Sequence, residues 1–198
     1  MTMQMMDNFI YRGKRAEAIA ISRRFTFTPA YNFGINTVAW STENYRGFRC
    51  DYVLDELFTV RNIYLFSKNR NYPVINGQNP KEIPEFIKTL ESINISSKEK
   101  KKYIDVFPMQ YKNIDYVYEY TGKILLGIEP SANKLGQDRY QKVYELEYKN
   151  GLLDSQVDIT KQWKDVCLKE SGEPEEYWWE SESTNYFHLI NYTFMGIE

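Results

Sequence analysis

One histidine and two cysteines in 198 residues leave little material for soft-metal or thiol chemistry. With His188 the single imidazole, His-rich zinc sites and HExxH chemistry are absent, so no metal is expected. Set in an alternating strand pattern, His188 could act as a general base, but a packed or hydrogen-bonded role in a sheet suits it better. Cys50 and Cys167 lie far apart and form no CxxC, which argues against a redox motif and for a reduced, cytoplasmic protein. Neither stands in a turn or at a helix N-terminus where a thiolate would be stabilised, so both read as buried small hydrophobes. No GxxxxGK[ST] or GxGxxG occurs, which removes the common nucleotide-binding loops, and no cofactor is expected. No apolar run approaches the length of a bilayer span, and the opening MTMQMMDNFIYRGKRAEAIA lacks a basic region followed by an apolar core. An excess of one charge is missing too: 25 basic against 27 acidic residues give a net charge of −2. No global field draws in nucleic acid or an anionic membrane.

What the chain has in plenty is aromatic surface. Seventeen Tyr, eleven Phe and four Trp make up 16% of the residues, and Tyr suits strands because its ring packs on a pleated surface while its hydroxyl reaches water. The length fits one domain over residues 1–198, with a β-rich core to residue 153 and a C-terminal part beyond. Arg12-Gly13-Lys14 between Asn8–Tyr11 and Ala16–Ile21 predicts a hairpin, although the Ala-rich second arm could be helical. Tyr45–Leu54 and Leu57–Phe66 predict two more arms joined at Asp55-Glu56, the second with neither face cleanly polar. Thr121-Gly122 between Tyr116–Tyr120 and Lys123–Ile128 predicts another hairpin. Lys149-Asn150-Gly151 between Tyr140–Tyr148 and Leu152–Ile159 gives the strongest short-range signal of all, Asn-Gly between β-rich arms. Ile83, Phe86, Ile87, Leu90 and Ile93 recur at helical spacing and predict a helix over Pro80–Ile93. A second helix is predicted over Thr160–Glu170, stopped before Gly172, and a last strand over Asn185–Met195. The basic run at Lys98–Lys102 reads as a solvated helix end or loop. The expected class is α+β, mainly antiparallel: a curved sheet or partly open barrel built from hairpins, with one or two helices.

Four segments in order, IYRG at Ile10–Gly13, ENYRGFRCDYVLDELFTVRNIYL at Glu43–Leu65, EYTGKILLG at Glu119–Gly127 and YELEYKNGLL at Tyr144–Leu153, resemble a family of uncharacterised bacterial proteins. Members of that family carry an N-terminal strand with glycine, an RGY segment running into a paired strand, an aromatic-Ser/Thr-Gly hairpin, and a Tyr-Glu strand ending in glycine. This chain has Asn44 and Phe48 where the family pattern has Trp and Tyr, and the tail from Asp154 onward lies outside the likeness. The resemblance implies a bacterial, cytoplasmic, sheet-rich domain with no activity attached.

Two sets of residues are candidates for function. Arg46, between aromatics and ahead of a strand, could hold a carboxylate or phosphate in bidentate geometry with Tyr45 and Trp40 beside it, or could pair within the sheet while Gly47 permits a bulge. The segment EPEEYWWESES presents Tyr177, Trp178 and Trp179 among acids, a composition suited to binding a basic protein, as an immunity or inhibitor protein does. The two tryptophans could equally cap a core. Carboxylates supply the only other chemistry: Asp51, Asp55 and Glu56 in one hairpin, Asp115 and Glu119 before the Thr-Gly turn, and Glu145 with Glu147 on one strand face. These read more simply as a solvated sheet face. The leading expectation is therefore a non-catalytic binding protein with a protein partner, and the rival is an enzyme using Arg46 and carboxylates on a polar or phosphorylated small molecule.

Overall fold

A computed structural model describes residues 7–22, 29–39, 46–67, 72–83, 107–130 and 139–170. The elements in chain order are β1 (Asn8–Tyr11), β2 (Lys14–Ile21), α1 (Pro29–Asn32), β3 (Phe48–Leu54), β4 (Phe58–Ser67), β5 (Lys81–Glu82), β6 (Phe107–Tyr111), β7 (Tyr116–Val117), β8 (Gly122–Ile128), β9 (Lys142–Lys149), β10 (Leu152–Asp158) and α2 (Thr160–Glu170). The class is as expected: mostly β, largely antiparallel, with two short helices. The described residues fall into two compact units, the first within residues 7–10 and 29–118 and the second within residues 11–22 and 119–170.

In the first unit the strands run in the order β1-β3-β4-β6-β5, with β7 also on β4. β3 and β4 form the antiparallel pair the sequence predicts, closing at Leu54 opposite Phe58. A bulge explains why the second arm shows no clean alternation. Asp51 faces Asn62 while Tyr52 faces Val60, so Arg61 is the extra residue. One inserted residue shifts the side-chain phase of β4 by one, so Phe58 and Val60 before it and Ile63 and Leu65 after it are all fully buried. On the unbulged β3, Phe48, Cys50, Tyr52 and Leu54 keep a strict period of two and are all fully buried as well. β1 pairs with β3 in parallel, through Asn8↔Asp51, Phe9↔Tyr52 and Ile10↔Val53. The parallel pair is a departure from the all-hairpin expectation.

In the second unit the order is β10-β9-β8-β2, entirely antiparallel. β2 is a strand rather than a helix, and the turn before it takes positive φ at both Arg12 (50°) and Gly13 (74°). Asn150 (50°) and Gly151 (80°) do the same between β9 and β10, as an Asn-Gly hairpin requires. Central β9 alternates between two covered faces. Val143 joins Ile19, Ala20, Leu125, Tyr140, Ile159 and Trp163 in one cluster, while on the other face Tyr144 meets Tyr11 in a tilted contact with centroids 5.4 Å apart. α2 starts where its exposed end groups find partners: the Asp158 carboxylate accepts the Thr160 amide at 3.0 Å and its hydroxyl at 2.5 Å. These bonds hold the Asp158 carboxyl below the usual aspartate range. The first turn then brings Trp163 down onto the cluster at 3% exposure.

Two expectations need correction. Thr121-Gly122 is not a hairpin turn, because β7 pairs with β4 while β8 pairs with β2 and β9. Gly122 serves a different need: a Cβ there would lie 2.6 Å from Ser22 Oγ and 2.7 Å from the Tyr120 hydroxyl. The helix expected over Pro80–Ile93 begins instead with the two-residue strand β5 on β6, and its residues from 84 onward lie outside the described ones, as do Lys98–Lys102, His188 and the strand expected over Asn185–Met195.

Gly127 tests the packing of the second unit. A Cβ there would lie 2.3 Å from Tyr140 Cδ1, since the ring lies flat on the glycine, whereas Gly13 has open space around it. Gly127→Ala should therefore cost about 2 kcal/mol or more as overpacking, and Gly13→Ala only about 1 kcal/mol from its left-handed backbone. Urea melts of the two variants read the difference; equal costs would show that Tyr140 moves aside freely.

Candidate functional site

Arg46 and Gly47 occupy the entry to β3, and the backbone around them is spoken for. Gly47 has φ +70°, and a Cβ there would lie 2.3 Å from the Val38 carbonyl oxygen. The segment carrying Val38 crosses over the glycine and is fixed there, with the Val38 amide donating to Phe66 O (2.9 Å) and the Phe66 amide to Gly47 O (2.8 Å). The Thr37 hydroxyl donates to Arg46 O at 2.6 Å. Glycine at position 47 is thus a steric necessity.

The Arg46 side chain turns to Asp7. Its Nη2 donates to Asp7 Oδ1 at 2.8 Å, and the same oxygen accepts the Cys50 amide at 2.9 Å. The guanidinium also lies over the Phe48 ring, 4.7 Å from its centroid. Asp7 is 9% exposed and Arg46 38%, and this asymmetry sets the charge behaviour. Burial pushes the Asp7 carboxyl up despite the opposing pull of Arg46 and the Cys50 amide. Burial pulls Arg46 down, but the charge and hydrogen bond of Asp7 outweigh it and the guanidinium is held more firmly charged. Nearby, burial and then the Asp7 charge push the Cys50 thiol well up, so this free, buried cysteine is a protonated core residue.

A second carboxylate lies on the opposite face of β3. Asp51 is 8% exposed and collects three donors: Asn8 Nδ2 at 2.8 Å on one oxygen, Asn62 Nδ2 at 2.7 Å and the Tyr64 hydroxyl at 3.3 Å on the other. Asn62 is itself oriented, because its Oδ1 accepts the Asn113 amide at 3.0 Å. A buried carboxylate needs this many donors to remain in the sheet.

Glu145 and Glu147 share one face of β9, as alternation predicts. Glu145 is 8% exposed, and Lys123 Nζ on the next strand donates to its Oε1 at 2.9 Å. The ammonium thus takes one carboxylate oxygen, while Oε2 is buried with no hydrogen-bond partner among the described residues. That bond, aided by the glutamate charges and opposed by burial, raises the Lys123 pKa. Asp115 pairs with Arg61 at 3.3 Å. Among the described residues, no group of three or more His, Cys, Asp or Glu is placed to hold a metal.

Of the six candidates singled out from sequence, Arg46 alone falls within the described residues; Trp40, Tyr45, Tyr177, Trp178 and Trp179 lie outside them. Sequence reasoning missed Asp7, the partner that fixes Arg46, and the sole signal for it was an acid immediately before a strand. No family model, curated protein or solved structure matches the chain.

Asp7 makes a pH prediction. A carboxyl raised in the folded state binds its proton more tightly folded than unfolded, so its contribution to stability is present below the ordinary aspartate value of 3.8 and is lost as pH rises from there through the folded pKa. The Asp7 carboxyl carbon, followed by NMR, should titrate above 3.8, and Asp7→Asn should remove that part of the stability slope. A midpoint below 3.8 would mean that Arg46 and the Cys50 amide outweigh burial.

Proposed function

We propose that the protein is a non-catalytic binding protein of the bacterial cytoplasm whose partner is another, basic protein, in the manner of an immunity or inhibitor protein. The observation that carries this reading is the internal commitment of the buried acids. Asp7 and Asp51 spend their charge on donors of their own unit, and Glu145 gives Oε1 to Lys123 while its Oε2 is buried away from any substrate, whereas an enzyme built on carboxylates would keep at least one aimed at a substrate. The acids that face water suit recognition instead. On β10, Leu152 and Val157 stand 59% and 48% exposed beside Asp154, which pairs with Lys149, and Asp158, which caps α2. The sequence adds Tyr177, Trp178 and Trp179 among glutamates, where aromatics give contact area and acids select a basic surface. Among the described residues no helix is long and apolar enough to cross a membrane.

Affinity purification of the full chain from its own cells should return one basic protein at equal stoichiometry, with the complex re-formed from purified components. Trp178→Ala and Trp179→Ala should each weaken it by about tenfold or more if the segment supplies the anchor residues. Failure to recover a stoichiometric partner, together with turnover of a small polar or phosphorylated compound, would overturn the reading in favour of an enzyme.

A further inference from the structure

The face of β3 and β4 that carries Asp51 also carries an arginine that pairs with no acid among the described residues. Arg49 stands directly opposite Tyr64, and its guanidinium carbon lies 4.6 Å from the centre of that ring. Among the described residues no carboxylate lies within ion-pair distance of Arg49, and its Nε is buried with no hydrogen-bond partner. The two acids nearby are already engaged. Asp51, two residues along the same strand, is taken by Asn8, Asn62 and Tyr64, and Asp7 is taken by Arg46 and the Cys50 amide.

A series of bonds nevertheless fixes where Arg49 points. The Asn113 amide orients Asn62, Asn62 and Asn8 hold Asp51, Asp51 accepts the Tyr64 hydroxyl, and the Tyr64 ring supports the guanidinium. Burial, then the Asp51 charge and hydrogen bond, push the Tyr64 phenol up against the opposing charge and hydrogen bond of Arg49, which keeps it protonated as the donor this series needs. Every member sits on a strand or, for Asn113, in the connection that leaves β6 at Tyr111, and rigid elements hold a recognition group to a defined geometry. A planar guanidinium held against the Tyr64 ring and hydroxyl, with no acid in ion-pair contact among the described residues, matches two oxygens of a carboxylate or phosphate. Gln110 lies opposite Tyr64 and Lys81 opposite Gln110, so the same cross-strand row adds an amide donor and a second cation on that face.

We propose that Arg49, held by Tyr64 and Asp51, is an oxyanion-binding fork on the polar face of the first unit, taking a carboxylate or phosphate group of a ligand. The proposal goes beyond the protein-partner reading and is independent of it. Its test is NMR of the Arg49 Nε–Hε resonance in the full chain, titrated with inorganic phosphate and separately with acetate, against sodium chloride at matched ionic strength. One of the two anions should shift that resonance saturably while chloride does not; preference for phosphate identifies a phosphorylated ligand, and preference for acetate a carboxylate one. Arg49→Lys, which keeps the charge but not the fork, should weaken binding about tenfold or more, followed on backbone amides of β3 and β4, as expected for a lost charge-assisted hydrogen bond. Tyr64→Phe, which keeps the ring but frees it from Asp51, should weaken binding while leaving the fold intact by amide spectrum. A shift no different from that in chloride, or undiminished binding by Arg49→Lys, would overturn the proposal.

Discussion

Two carboxylates of the first unit, Asp51 buried in the sheet and Asp7 just ahead of β1, set the terms for the residues around them. β1 meets β3 through three register pairs in parallel, and so short a parallel ladder gives few hydrogen bonds to hold a strand in place. Side chains supply the rest. Asp7 reaches the Cys50 amide at one end of the pairing, and Asn8 reaches Asp51 one residue further along. Because a carboxylate removed from water must gather donors or become protonated, each acid dictates the orientation of its neighbours: Asp7 that of Arg46, and Asp51 that of Asn62 and Tyr64. The short parallel pairing is thus reinforced by polar side chains.

Local pattern carried most of the strand map. Arg12-Gly13 and Asn150-Gly151 were legible because left-handed backbone at a tight turn admits few residue types, and Thr160–Glu170 because apolar spacing and a glycine stop agree. Pairings between strands distant in sequence were not legible. Nothing in Tyr116-Val117 records that it pairs with Thr59-Val60, so a glycine following it was read as a turn when it is there to clear Ser22 and Tyr120. The bulge at Arg61 was visible only as its effect, an arm with two mixed faces. Alternation that breaks once and resumes in the opposite phase is what an inserted residue leaves behind, and in LFTVRNIYLF the break falls between Val60 and Ile63.

The chemistry followed the same division. Alternation placed Glu145 and Glu147 on one face without error, since a strand's period is local. Lys123, which neutralises Glu145 from the neighbouring strand, follows from the β8–β9 register and from nothing near the glutamates in sequence. Arg46 stood out because of Gly47 and its aromatic neighbours, yet Asp7, 39 residues earlier, has no sequence feature linking it to that arginine. An ion pair between distant strands needs one charge at each end and leaves no periodic trace. Asp51, Asp55 and Glu56 looked like a cluster because they are close along the chain, but β3 carries Asp51 inward among its donors while the other two fall at the turn.

Why Arg49 and Asp51 do not simply pair with each other follows from the donors already in place. Direct pairing of two charges drawn out of water gains little over neutral partners, because the desolvation cost offsets the attraction. Asn8, Asn62 and Tyr64 satisfy Asp51 with groups that carry no net charge to desolvate. Tyr64 then acts in two directions at once: its hydroxyl serves the acid, and its ring face, negative by its quadrupole, serves the arginine. The ring keeps opposite charges apart on one face of the sheet, so the positive one is stabilised while its Nε stays unpartnered among the described residues. A pair in direct contact would have been a closed structural feature; a pair separated by an aromatic ring keeps the arginine's recognition chemistry while the acid remains part of the scaffold.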